Sequence, residues 1–82
     1  EFYPNPVHDK ATLELNTSKE TNLNVTMIDL LGRTYGIVNR NQKLVKGKTV
    51  INFDFTSIPS GNYIMSVKTK EKSVTKNIVV IK

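Results

Sequence analysis

The sequence predicts an all-β fold, an immunoglobulin-like antiparallel β-sandwich of about six to seven strands in two sheets. Three observations predict it. Apolar and polar residues alternate at period two in several short runs, no stretch sustains a helical stripe, and turn signals recur every eight to twelve residues or so. The Cys-Trp-Cys pattern of a true immunoglobulin domain is absent, so the expectation rests on strand pattern alone.

The chain opens on Tyr3-Pro4-Asn5-Pro6. The prolines fix two φ angles and push Tyr3 and Asn5 into extended backbone, a stiff lead and not a central strand. Ala11, Leu13 and Leu15 alternate with Thr12, Glu14 and Asn16, giving a first strand with one buried face. After the polar run 16–22, Leu23, Val25 and Met27 form a second strand that runs into Asp29-Leu30-Leu31-Gly32-Arg33. This segment predicts a hairpin turn, with the Asp29 carboxylate accepting backbone N–H groups and Gly32 at positive φ. A return strand is expected over 33–38, weakened by Gly36, with an irregular continuation over 39–43.

Beyond Lys46-Gly47-Lys48, the residues Ile51, Phe53 and Phe55 share one face, with the phenylalanines as core anchors. Ile58-Pro59-Ser60-Gly61 fits a type I turn. Tyr63, Met65 and Val67 line the next strand, and Tyr63 sits where a tyrosine corner would tie a loop to the strand start. A polar hairpin over 69–73 leads to a last strand ending in Ile78-Val79-Val80-Ile81, apolar on both faces and therefore central or covered.

Size and composition bound what such a fold can do. The 82 residues suit a single domain with one thin core, burying about 60 to 65% of the unfolded chain's surface. At 38% hydrophobic and 23% charged the chain falls in the folded globular range. Cysteine is absent, which excludes disulfides and thiolate metal sites. No apolar run reaches the roughly 18 residues of a membrane-spanning helix. The chain does not open on methionine or on a signal-peptide pattern, so 1–82 is expected to be one domain of something longer. Twelve Lys and Arg against seven Asp and Glu give +5. Lys43, Lys46 and Lys48 surround one predicted turn and Lys68, Lys70 and Lys72 another, as solvated loops would, and no basic stripe interleaves aromatics as nucleic-acid binding requires. Anionic lipopolysaccharide or peptidoglycan remains a compatible neighbour.

Candidate chemistry is sparse. His8 is the only histidine, so no Ser-His pairing is supported, and His8 with Asp9 is too small a cluster for a metal. Asp29 and Asp54 resemble an acid/base pair only in type, since Asp29 suits a turn cap and Asp54 precedes Thr56-Ser57, whose N–H groups a carboxylate can satisfy. Tyr3, Tyr35 and Tyr63 lie on separate segments, a poor sugar-stacking platform. No catalytic residue, cofactor or metal site is assigned.

Five ordered blocks carry a resemblance. Tyr3-Pro4-Asn5-Pro6-Val7 with Asp9 and Leu13, then Asp29-Leu30-Leu31-Gly32-Arg33, then Gly47, then Asp54 with Ile58-Pro59-Ser60-Gly61-Asn62-Tyr63, and finally Lys76-Asn77-Ile78-Val79-Val80-Ile81-Lys82 resemble, in order and spacing, the type A C-terminal sorting domains of the type IX (Por) secretion system. The chain departs from that pattern at the Tyr35-Gly36 interruption and at Ile58, where leucine is common in the family. The resemblance implies a label that is a substrate of export and not an enzyme. It implies a passenger carried through the periplasm and across the outer membrane by the type IX translocon, to the cell surface or the medium. It also implies removal of the label by a sortase-like cysteine protease that attaches the passenger to lipopolysaccharide. Within such a label, an exposed edge at 78–81 would suit β-augmentation, while burial of both faces between sheets would be its structural alternative. A fibronectin-like or carbohydrate-binding accessory module of a secreted hydrolase is the competing expectation.

Overall fold

The computed structural model describes residues 1–36 and 40–82. Among them are seven strands: β1 (Phe2–Tyr3), β2 (Lys10–Thr17), β3 (Thr21–Asp29), β4 (Arg40–Leu44), β5 (Gly47–Asp54), β6 (Gly61–Lys68) and β7 (Ser73–Val80). They form two antiparallel sheets, a three-stranded one ordered β1-β2-β5 and a four-stranded one ordered β4-β3-β6-β7. The all-β, two-sheet arrangement is the one the period-two pattern predicts.

The alternating residues meet between the sheets. Ala11 and Leu13 from β2, with Ile51 and Phe53 from β5, face Leu23, Val25 and Met27 from β3, Tyr63, Met65 and Val67 from β6, and Ile78 and Val80 from β7, and all are buried. Phe55 and Ile58, just past β5, close one end of this core. Burying each large side chain contributes about 1.5–3 kcal/mol, and with no disulfide the domain depends on this layer. Phe2 lies at 6.5 Å from Phe53 and 6.4 Å from Phe55, so the first residues of the lead are part of the core wall. On the outer face, Thr12 donates from its hydroxyl to Asn52 Oδ1 at 3.0 Å across the β2–β5 pair. At the β4 side, the Arg40 guanidinium stands 5.2 Å from the centre of the Phe53 ring and so ties one sheet to the other.

Three elements depart from the sequence expectation. The strand paired along β3 is 40–44; of the expected return strand 33–38, the first residues make an isolated bridge, Thr34 to Ile28, with the Tyr35 N–H donating to the Met27 carbonyl at 2.9 Å, and residues 37–38 lie outside the described residues, as does Asn39. Polar Arg40, Asn41 and Lys43 disguised this strand, which as an edge strand needs only Leu44 fully buried. The hydrogen-bonded turn before β6 falls at 55–58, where the Ile58 N–H donates to the Phe55 carbonyl at 3.0 Å, three residues earlier than the proline suggested. Finally, of the two expectations for β7, central or covered, the structure departs from the first and has the second: β7 is the edge of the four-stranded sheet, covered along its last residues by the lead.

Candidate functional site

The strand register gathers most of the sequence-identified residues at one end of the sandwich. Asp54 stands opposite Lys10, Asp29 opposite Tyr63, Tyr63 opposite Ile78 and Gly61 opposite Val80. The lead joins them there, because Val7 bridges Val80 in parallel. Gly47, opposite Thr17, lies at the other end, where its φ of 110° opens β5 after the Leu44–Gly47 turn. Lys76 is opposite Met65, midway along β7, and exposed.

The lead and the tail are clasped. The Val7 N–H donates to the Val79 carbonyl at 2.7 Å, and the Ile81 N–H donates to the Val7 carbonyl at 2.9 Å. Pro4 and Pro6 have no N–H to give, and the Asn5 side chain supplies the missing pairing: its Nδ2 donates to the Asn77 carbonyl at 3.0 Å and its Oδ1 accepts the Val79 N–H at 3.2 Å. His8 continues the row, with Nδ1 at 2.7 Å from the Ile81 carbonyl, a contact that requires the proton on Nδ1. Residues 77–81, the end of β7 and the residue after it, therefore have their outer edge occupied, and β-augmentation by a partner at that stretch would require the lead to leave. Of its apolar residues Ile78 and Val80 are core, Val79 is half-buried, and Ile81 is 46% exposed.

Lys82 and Asp9 fasten the same end. The Lys82 Nζ donates to the Phe55 carbonyl at 2.7 Å and lies 3.4 Å from Asp9 Oδ1, while its backbone N–H donates to Ser60 Oγ at 3.0 Å. The Phe55 N–H donates to the Asp9 carbonyl at 2.6 Å.

The Asp29 turn is built around one carboxylate. Its Oδ1 accepts the N–H groups of Leu31 and Arg33, both at 2.9 Å, and its Oδ2 accepts Arg33 Nε at 2.7 Å. Gly32 takes a φ of 87°, which a side chain would resist by about 1–2 kcal/mol. Burial would raise the Asp29 pKa, but the Arg33 backbone N–H and guanidinium together with the Leu31 N–H outweigh it and hold the carboxyl below its usual range. At the tip of this turn Leu30 and Leu31 are 67% and 82% exposed.

Tyr63 is buried and donates its hydroxyl to the Pro59 carbonyl at 2.6 Å, with the Tyr35 ring packed edge-on at 5.3 Å. Burial, with Tyr35 close by, raises its pKa. Tyr63→Phe removes the hydroxyl and leaves that carbonyl without its donor, and is expected to cost about 1 kcal/mol, a Tm lower by roughly 4–8 °C in a thermal melt. An unchanged Tm would remove the corner from the account.

Asp54 accepts the Thr56 N–H at 2.9 Å and the Thr56 hydroxyl at 2.7 Å, and these two bonds lower its pKa. Glu14 is lowered first by the Tyr3 hydroxyl and then by Lys48, 3.1 Å away. Three carboxylates thus titrate lower folded than unfolded, so their contribution is present above pH 4–5 and is lost as pH falls through the folded values. Chemical denaturation should show a plateau down to about pH 5 and falling stability below pH 4. A stability that rises on acidification through this window would reverse the sign.

These partners also settle what the candidate groups are engaged in. Asp29 and Asp54 each hold a separate turn, in different sheets, and form no acid/base pair. Tyr35 and Tyr63 stack on each other and Tyr3 is bound to Glu14, so the three tyrosines share no platform. Sequence reasoning did not find the roles of Asn5, His8 and Lys82 in the clasp. The one available signal was the asparagine held between two donor-less prolines.

Compared with curated proteins and with solved structures, the chain gives no match. A family model described as the secretion system C-terminal sorting domain matches residues 1–82, the whole length of the chain. The match runs the full length of the sequence, and the chain belongs to the C-terminal sorting domain family of the type IX (Por) secretion system.

Proposed function

We propose that residues 1–82 are the terminal domain of a larger secreted protein and that the type IX machinery reads them as a folded shape at the clasped end. Family membership implies engagement with that machinery and a secreted or cell-surface destination. The observation supporting a folded signal is the clasp itself, since the lead and the tail are adjacent only when both sheets are formed. Among the residues exposed there, Leu30, Leu31 and Ile81 are apolar, and they stand with polar and charged neighbours such as Asn5, His8, Asp9 and Arg33. The roles of Tyr3, Pro4, Asn5, Pro6, Asp9, Asp29, Gly32, Pro59, Gly61, Tyr63, Ile78, Val80 and Lys82 in sorting are then indirect, through the shape they hold, and Gly47 and Lys76 stand apart from the surface that is read.

After crossing the periplasm and outer membrane, the label is removed by a sortase-like cysteine protease and the passenger is joined to anionic lipopolysaccharide. The domain is substrate in that step and not its catalyst. The test is a periplasmic reporter fused to the N-terminal side of residues 1–82 in a cell with a type IX system. The reporter should reach the surface or medium, and should stay in the periplasm when the domain is omitted. Equal distribution of the two would refute the proposal. Deleting 77–82 is a poor version of this test, because Ile78 and Val80 belong to the core and their loss would unfold the domain.

A further inference from the structure

At the end of the sandwich opposite the clasp, the edge of β2 runs on beside a groove. The register of β1 on β2 pairs Phe2 with Leu13 and Tyr3 with Thr12, and Glu1 extends it: its nitrogen donates to the Glu14 carbonyl at 2.7 Å and its carbonyl accepts the Glu14 N–H at 2.7 Å. By the two-residue alternation of an antiparallel ladder, Asn16 is the next residue of β2 to present its N–H and C=O on this edge, and β1 ends before reaching it.

Beside that edge lies an apolar groove of about 300 Å³, floored by Leu15, Val67 and Val74 and rimmed by Thr17, Thr21 and Glu71. Val74 is on the inner face of β7, opposite Val67, yet it is 47% exposed, and Leu15 is only half-buried where Leu13 is fully covered. Both sheets continue here, and the strand that would roof them does not.

We infer that the segment immediately preceding Glu1 in the secreted precursor continues β1 along 15–17 of β2 and fills this groove. The inference rests on the proposal that the domain follows a passenger. The continuing register places the residue directly before Glu1 opposite Leu15, the second opposite Asn16 and the third opposite Thr17. Phe2 faces the core, so by alternation the first and third upstream residues point into the groove and the second points outward. Those two positions should carry apolar or β-branched side chains.

This occupant is favoured over a separate protein because the pairing is already in register up to Glu1, and because a tethered strand competes at high effective concentration.

Hydrogen exchange resolved at the Asn16 amide tests this in the full-length precursor, compared with a precursor whose three residues before Glu1 are replaced by Gly-Pro-Gly. Asn16 should exchange about tenfold faster in the replaced protein, with the Leu13 and Leu15 amides, which face β5, unchanged. Equal rates at Asn16 would overturn the inference. So would protection that depends on protein concentration, which would assign the edge to a second copy. The exchange is read on purified protein, so a failure of export in cells bears on the sorting proposal and leaves this result standing by itself.

Discussion

Phe55→Ala should take a large share of the domain's stability and lower its melting temperature far more than any surface change. Phe55 is fully buried, contacts Phe2 ring to edge, and carries the two backbone groups that Asp9 and Lys82 use to fasten lead and tail. Removing a buried phenylalanine ring costs about 3–5 kcal/mol. A domain of this size has only roughly 4–12 kcal/mol in total, and the expected loss of Tm is roughly 15–35 °C. Circular dichroism melts of the isolated domain would read it directly. Phe55→Leu, which keeps most of the volume, should retain a cooperative transition at an intermediate temperature. A Phe55→Ala protein that melted within a few degrees of the parent would show that the end of the core is looser than its packing implies.

Val7→Asp is expected to be nearly as damaging, for a different reason. Val7 is fully buried even though it lies in a proline-rich lead, and its backbone is bonded on both sides to β7. A carboxylate there has no cation in the core to meet, and an uncompensated buried charge costs about 3–5 kcal/mol. Val7→Ala keeps the backbone pairing and should cost less than half of that. The pair of variants separates burial from pairing: if Val7→Asp were as stable as Val7→Ala, the lead would be swinging free of β7, and the clasp would not describe the molecule in solution.

The contrast between Val7 and the regular strands shows what the sequence made legible. Residues such as Leu13, Val25, Phe53 and Met65 announce their burial by alternation, because a strand with one covered face admits little else. The Asp29 turn and the Asp54 loop were equally legible, since a short carboxylate next to backbone donors has few better uses. The clasp was not legible. It joins residues more than seventy positions apart, Asn5 to Val79 and His8 to Ile81, and it replaces backbone pairing with a side-chain amide, so no period marks it. β4 was read only as an irregular or bulged continuation over 39–43, because Arg40–Leu44 is polar edge strand, held by its pairing with β3 and not by an apolar face.

The candidate site was legible in part for a related reason. Its motifs could be seen as an ordered series, but their convergence depends on register. Asp29, Tyr63 and Ile78 are distant in sequence and become neighbours across three strands, while Gly47 falls at the far end of the same fold. The final strand also changed meaning. Two-sided apolarity at 78–81 left open an edge awaiting a partner or burial of both faces, and in the structure the edge is occupied by the chain's own lead.

The central claim is that export machinery reads the exposed surface of the folded, clasped end. The most direct measurement is secretion of a fused reporter carrying Leu30→Ser, Leu31→Ser and Ile81→Ser together, with a thermal melt of the same domain. All three side chains are exposed, so Tm should move by no more than a few degrees, while the reporter should accumulate in the periplasm. Secretion at the parental level from a domain that is equally stable would contradict the claim.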